Sequence, residues 1–311
     1  MQLDAIPTTA YLMLYTKNRC LANCAFCPQA RESKARPDAL SRILWPEFKL
    51  QEVKDAVKAL PKRNQFERIC IQAINYPGFF NDLVEAVESL KDLGLHMSVS
   101  VPPLKIEQMK MLHEKGVSRI GIPLDAATES IFYAIKGKGT KGPYNWEKHL
   151  ATIKEAQSIF GVGNVSTHLI VGLGETEFDA VKFLKEMIDS QVLPALFTFT
   201  PVRGTALESR ARPSVKQYRK IQLARYLILN QVSRLEDLTF NDRGELINFG
   251  IPKEKLEKII RTGIPFLTTG CPSCNRPFYN ERPGETLFNY PRPMNSGEIT
   301  EVTKIFEEFG Q

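Results

Sequence analysis

Histidine is scarce in this chain, at four residues in 311, and tryptophan is scarcer still, at two. Long apolar runs are absent. The longest, such as Tyr11–Tyr15 and Leu169–Leu173, are strand-sized and far too short to cross a bilayer. The opening MQLDAIPTTAYLMLYTK has no basic segment leading into an apolar core, which argues against a secretory signal. These absences set the expectation of a cytoplasmic protein without a membrane partner. No basic stripe interleaved with aromatics marks a nucleic-acid groove. The formal charge of +6 is instead spread over Lys17/Arg19, Lys34/Arg36 and Lys136/Lys138/Lys141. It reads as a mildly basic solvated surface or, more sharply, as a face for an acidic partner.

What is present is the balance of a soluble globular chain, 43% hydrophobic and 24% charged. Short β-like runs alternate with longer amphipathic segments. The strand candidates are Ala10–Tyr15, Phe66–Ile71, His96–Val101, Arg119–Ile122, Val165–Val171, Ala195–Thr200, Leu238–Phe240 and Ile264–Thr268. Between them, segments such as Glu47–Leu60, Trp146–Phe160 and Val215–Val232 carry apolar residues at three- and four-residue steps. This alternation predicts parallel strands joined by helical crossovers, an α/β fold of the (β/α) TIM-barrel type, complete or partial. One principal domain over 1–268 is expected. Residues 269–311 are rich in proline, glycine and asparagine and read as an irregular extension across the barrel mouth, ending in a helix near Glu298–Phe309. Phe278, Tyr279, Phe288 and Tyr290 argue for order there.

The six cysteines are clustered: three within Cys20–Cys27, a pair at Cys271 and Cys274, and Cys70 alone. In a chain expected to be cytoplasmic this favours metal or redox chemistry over disulfides. The first group, Cys20-Leu-Ala-Asn-Cys24-Ala-Phe-Cys27, follows the first strand candidate. A cubane takes one thiolate per iron, so three cysteines leave one iron open to another ligand. A zinc site would want a fourth ligand, and no histidine stands nearby.

Cys20, Cys24 and Cys27, with Phe26 before the last of them, resemble the signature of the radical S-adenosylmethionine (SAM) superfamily. The resemblance implies a core [4Fe–4S] cluster whose open iron chelates SAM, one-electron cleavage to a 5′-deoxyadenosyl radical, and hydrogen abstraction from a substrate. It extends in order from about Tyr11 to Leu207. Phe26 is expected near the adenine. Gln72-Ala73-Ile74 takes the place of the segment that meets the methionine amine, though without its usual glycines and acid. Asp125 stands where a polar residue meets the ribose or substrate; taken alone it could equally cap a helix over Ala126–Ile135. Gly172-Leu173-Gly174-Glu175-Thr176 resembles the adenine-binding segment, though an isolated GxG can simply turn a strand into a helix. The positive charge could also serve a SAM carboxylate.

Cys70 by itself could be a small core residue. Taken with Cys271 and Cys274, it is expected at the same barrel mouth, forming a second site. FERICIQAINYP resembles the second-strand segment of biotin synthase, whose cysteine ligates a sulfur-donating cluster. Ser98 and Ser166 stand where that family has further cysteines, and its arginine ligand is replaced by the Cys271/Cys274 region. CPSCNRPFYNERPGE resembles the two-component lipoyl synthases. The resemblance implies an auxiliary [4Fe–4S] cluster on Cys70, Cys271 and Cys274 that acts in catalysis as the sulfur source. Its remaining iron could be completed by Ser273, Asn275, Arg276, Ser98, Ser166 or His168. Also implied are an octanoyl-lysine carrier (glycine-cleavage H protein or a dehydrogenase lipoyl domain), a second radical SAM subunit and an electron donor such as ferredoxin.

Overall fold

A computed structural model describes residues 5–61, 66–276, 280–281, 284–307 and 309. Phe278 and Tyr279 lie outside them. Six parallel strands form one curled sheet: β1 (Thr9–Met13), β2 (Arg68–Gln72), β3 (His96–Ser100), β4 (Val117–Gly121), β5 (Val165–Val171) and β6 (Leu193–Thr198), each beside its predecessor. Helices α1 (Leu50–Lys58), α2 (Phe79–Leu90), α3 (Ile106–Glu114), α4 (Glu129–Ile135), α5 (Trp146–Phe160) and α6 (Glu177–Asp189) fill the crossovers. The result is a half-barrel of the TIM type.

The strand sequences explain why one face of this sheet is a chamber and the other a core. Parallel strands buried on both faces normally read as continuous apolar runs. Here they alternate. Ile69, Ile71, Met97, Val99, Leu169 and Val171 are almost fully buried against the helices. The intervening Arg68, Cys70, Gln72, Ser98, Ser100, Ser166 and His168 line internal pockets instead. A barrel interior packed with branched aliphatic layers would leave no such space.

Two strand expectations need correction. Leu238–Phe240 contributes only Thr239–Phe240, which pairs antiparallel with Leu246–Asn248 in a small hairpin outside the barrel sheet. Ile264–Thr268 holds a 3-10 turn over Ile264–Phe266. Pro265 sits there without an N–H to offer a ladder. The barrel therefore stops at six strands and leaves two open edges.

The chain closes that gap with an irregular segment. On the β6 side, Leu196 N donates to Thr269 Oγ1 at 2.7 Å, and Asn280 Nδ2 donates to Thr198 O at 2.9 Å. On the β1 side, Thr8 N donates to Asn275 Oδ1 at 3.1 Å, and the Thr8 and Thr9 hydroxyls donate to Ser273 O at 2.6 Å each. The edge amides of Leu196 and Thr8 and the edge carbonyl of Thr198, which would otherwise go unpaired, are thus satisfied by side chains. Past the seam, α7 (Val215–Leu229), α8 (Lys253–Arg261) and α9 (Ser296–Ile305) share a second apolar cluster, which includes Leu223, Leu227, Phe249, Phe266, Val302 and Phe306. Buried Arg219 on α7 donates to the carbonyls of Leu287 and Phe288, binding that segment to α7.

Candidate functional site

The inner face carries two adjoining chambers. The outer one, at the C-terminal ends of the strands, is lined by Cys20, Cys24, Cys27, Phe26, Gln72, Ala73 and Asp125, among others. The inner one, toward the N-terminal ends, is lined by Cys70, Cys271, Cys274, Tyr11, Ser98, Ser166 and Arg276, among others. Gln72, Ser100, His168 and Phe197 line both and form the wall between them.

The loop after β1 is braced so that its three thiols line one chamber. Cys20 N donates to Gln29 O (3.0 Å), Leu21 N to Asn75 O (2.7 Å), Ala25 N to Ile135 O (2.7 Å) and Cys27 N to Cys24 O (3.0 Å). Burial pushes all three thiols up, Cys27 to about 12, and neighbouring cysteines push Cys24 and Cys27 further. Three thiolates can share this site only with positive charge among them. Among the described residues, no three His, Cys, Asp or Glu side chains converge on a single metal ion. A cubane, with one thiolate per iron, spreads its ligands, and the all-sulfur donor set suits it.

Beside these thiols lies a polar group that sequence reasoning missed. Lys136 Nζ donates to Asp125 Oδ2 at 2.6 Å and to Pro123 O at 2.5 Å. The Lys136/Lys138/Lys141 run had the look of a solvated face, yet Lys136 is 4% exposed. Asp125 adopts φ 67°, a left-handed conformation that few residue types accept, Asp among them. It is held there by Asp125 N donating to His168 O and Ile170 N donating to Asp125 O, each at 2.9 Å. It does not cap α4, since Thr128 does, accepting from Ile131 N. His149, almost fully buried, donates from Nδ1 to Asn145 O at 2.8 Å. A carbonyl can only accept, so Nε2 carries the lone pair. Among the described residues that Nε2 has no partner, and His149 lines the outer chamber. Burial and Lys136 lower its pKa to about 3, and burial lowers that of His168 to about 4. No sequence signal marked Lys136 or His149, since each belongs to a crossover helix or its margin.

Gly172 and Leu173 do not join this lining; Ile170 does. Their amides are taken by Glu175, which accepts from Gly172 N at 2.5 Å and Leu173 N at 3.0 Å. Gly172 has φ 106°, and a Cβ there would lie 2.7 Å from Pro213 Cδ. The glycine is required by that close approach.

The second thiol group lies one level deeper than the sequence indicated. Cys70, expected at the barrel mouth, is the third of five residues in β2, and the inward period carries it below Gln72. Cys271 and Cys274 do not follow a barrel strand. Their segment crosses beneath the outer chamber, fastened to Thr8 and Thr9, while Arg68 Nε donates to Pro272 O at 3.1 Å. Burial pushes the Cys70 thiol up to about 12, with Cys271 and Cys274 adding to it. Of the candidate completing residues, Ser98, Ser166, His168 and Arg276 line this chamber. Ser273 and Asn275 do not. The Ser273 hydroxyl donates to Glu67, and the Asn275 side chain binds Thr8 N and Ile6 O.

Residues 14–187 match the profile of the Radical SAM superfamily. The chain is 27% identical over 224 residues to a biotin synthase of Prochlorococcus marinus (strain MIT 9215), covering 70% of this chain and 63% of that protein. A biotin synthase of Coxiella burnetii (strain Dugway 5J108-111) is 27% identical over 223 residues, with 70% and 65% covered. The chain thus spans less than two thirds of the length of these relatives. In fold it is similar to methylornithine synthase (TM-score 0.56, 16% identity, 72% of this chain and 63% of that one). It is also similar to an [FeFe]-hydrogenase maturase (TM-score 0.56, 14% identity, 72% and 51% covered). With a matching profile that spans more than half of it, and with Cys20, Cys24 and Cys27 on the loop after β1, the chain belongs to the radical SAM superfamily.

Proposed function

We propose that this radical SAM enzyme inserts sulfur into unactivated C–H bonds of an octanoyl chain held on a carrier lysine, as a component of a lipoyl synthase. The observation that carries the reading is the pair of thiol groups in adjoining chambers that share the wall of Gln72, Ser100, His168 and Phe197. A carbon lying at that wall faces both, which is the proximity that sulfur transfer to a radical carbon demands. When bound, a core cluster with SAM would supply the hydrogen-abstracting radical, and an auxiliary cluster would supply sulfide.

The chain's own residues bind, orient and keep water out. Cys20, Cys24 and Cys27 would hold the core cluster, and Cys70, Cys271 and Cys274 the auxiliary one. Phe26, Gln72 and Ala73 line the space expected for SAM. Lys136 brings a cation suited to a carboxylate, and Asp125 an acceptor suited to hydroxyls. His149 Nε2 offers a further acceptor. Met13, Val101, Pro102, Ile170 and Phe199 give the chamber the apolar walls an aliphatic chain prefers. The partners in this reading are an acidic lipoyl carrier, for which the +6 charge has a use, a second radical SAM subunit and a ferredoxin-type donor.

The test offers the reduced protein SAM with either an octanoyl-lysyl carrier or dethiobiotin. Turnover of SAM to 5′-deoxyadenosine and a thiolated product with the octanoyl carrier is expected. Turnover with dethiobiotin alone would overturn the lipoyl assignment.

A further inference from the structure

We propose that Tyr11 is a positioning residue of the inner site: its hydroxyl donates a hydrogen bond to Cys274 Sγ and sets the reduction potential of the cluster held there. The proposal rests on the two-cluster reading above and concerns this chain's own contact to one ligand of that cluster.

Tyr11 stands on β1 directly across the ladder from Cys70 and lines the inner chamber. Its hydroxyl oxygen is 3.4 Å from Cys274 Sγ. The same oxygen accepts from Asn275 N and from Arg276 N, each at 3.1 Å. A phenol has one proton and two lone pairs. The two amides occupy the lone pairs, so the proton is left to donate, and Cys274 Sγ is the acceptor it meets. The same count keeps Tyr11 from ligating iron itself, because no lone pair remains. The two amides belong to the residues that follow Cys274, so one side chain fixes both the sulfur and the backbone behind it. A hydrogen bond to a ligating sulfur withdraws electron density and raises a cluster's potential.

The measurement uses the full chain with Cys20, Cys24 and Cys27 all changed to alanine, so that only the inner site can hold iron. After anaerobic reconstitution, the cluster is titrated electrochemically by its visible and EPR signals, with and without Tyr11→Phe. The expected result is unchanged iron content and a shift to more negative potential in Tyr11→Phe. Placing 2,3-difluorotyrosine at position 11, whose phenol is a stronger donor, should shift the potential the other way. That opposite shift would not arise from packing, and it keeps the test open if Tyr11→Phe folds poorly. Iron bound with a potential that neither replacement moves would overturn the proposal while leaving the two-cluster reading intact. Loss of the cluster in Tyr11→Phe at unchanged melting temperature would instead make the phenol a ligand. No iron in the triple-alanine parent would defeat the two-cluster reading and this proposal with it.

Discussion

Lys136 Nζ stands 2.6 Å from Asp125 Oδ2 inside the outer chamber, with side chains 6% and 10% exposed. The pair is set across a crossover: Asp125 sits just past β4 in a left-handed turn, and Lys136 follows α4. Breaking a buried pair by removing one partner costs about 3–5 kcal/mol, because the other is left as an uncompensated charge. Lys136→Met should therefore lower the unfolding free energy of the cluster-free chain by about that amount, and Asp125→Asn/Lys136→Met should recover most of it. SAM binding, followed by equilibrium dialysis, should be lost in both. A double variant as unstable as the single would show that the pair is not an isolated unit.

This pair also marks where the sequence stopped being legible. The six barrel strands and the Cys20/Cys24/Cys27 loop could be read because period-two alternation and ligand spacing are local properties, whereas Asp125 was marked only by the family resemblance. The other side of the site could not be read. Lys136 looks like any surface lysine until α4 turns it inward, and the depth of Cys70 depends on how far β2 runs past it. Leu238–Phe240 and Ile264–Thr268 have strand composition, but the β6 edge they would extend is covered by Thr269 and Asn280, and the β1 edge by Asn275. Composition cannot distinguish a strand from a strap.

His149 and His168 are held neutral by burial, with pKa values of about 3 and 4 against an ordinary 6.5. The unfolded chain binds protons that the folded one refuses, so stability rises with pH across that interval. Their contribution is complete above about pH 6.5 and is lost as pH falls toward 4 and 3. Urea unfolding of the cluster-free, reduced chain should show this slope, and His149→Gln/His168→Asn should flatten it. An unchanged acid limb in the double variant would assign it to other groups.

Iron and sulfide content separates the two thiol groups. The anaerobically purified chain should carry about eight irons, and Cys271→Ala and Cys24→Ala about four each, since each removes a ligand from one cubane. Only in the Cys24→Ala protein should reductive cleavage of SAM disappear while iron remains. Full iron in Cys271→Ala would exclude it as a ligand.

Asn280 joins the irregular segment that closes the seam, a strap across the open edges, to the sheet. It is 4% exposed; its Nδ2 donates to Thr198 O at 2.9 Å, and its Oδ1 accepts from Thr198 N at 3.4 Å. The side chain thus imitates a neighbouring strand for one residue of β6. Asn280→Ala leaves two buried backbone groups unpaired, at about 1–3 kcal/mol for each such group. The loosening should be local, since Thr269 still holds Leu196 and the Thr8 and Thr9 hydroxyls still hold Ser273. Alkylation of the cluster-free chain, mapped by mass spectrometry, should therefore speed up at Cys271 and Cys274 several-fold while Cys20, Cys24 and Cys27 keep their rates. Equal acceleration at all five would mean that the whole half-barrel opens together and that the strap is part of one cooperative unit. Acceleration at none would mean that the β1 side alone closes the seam.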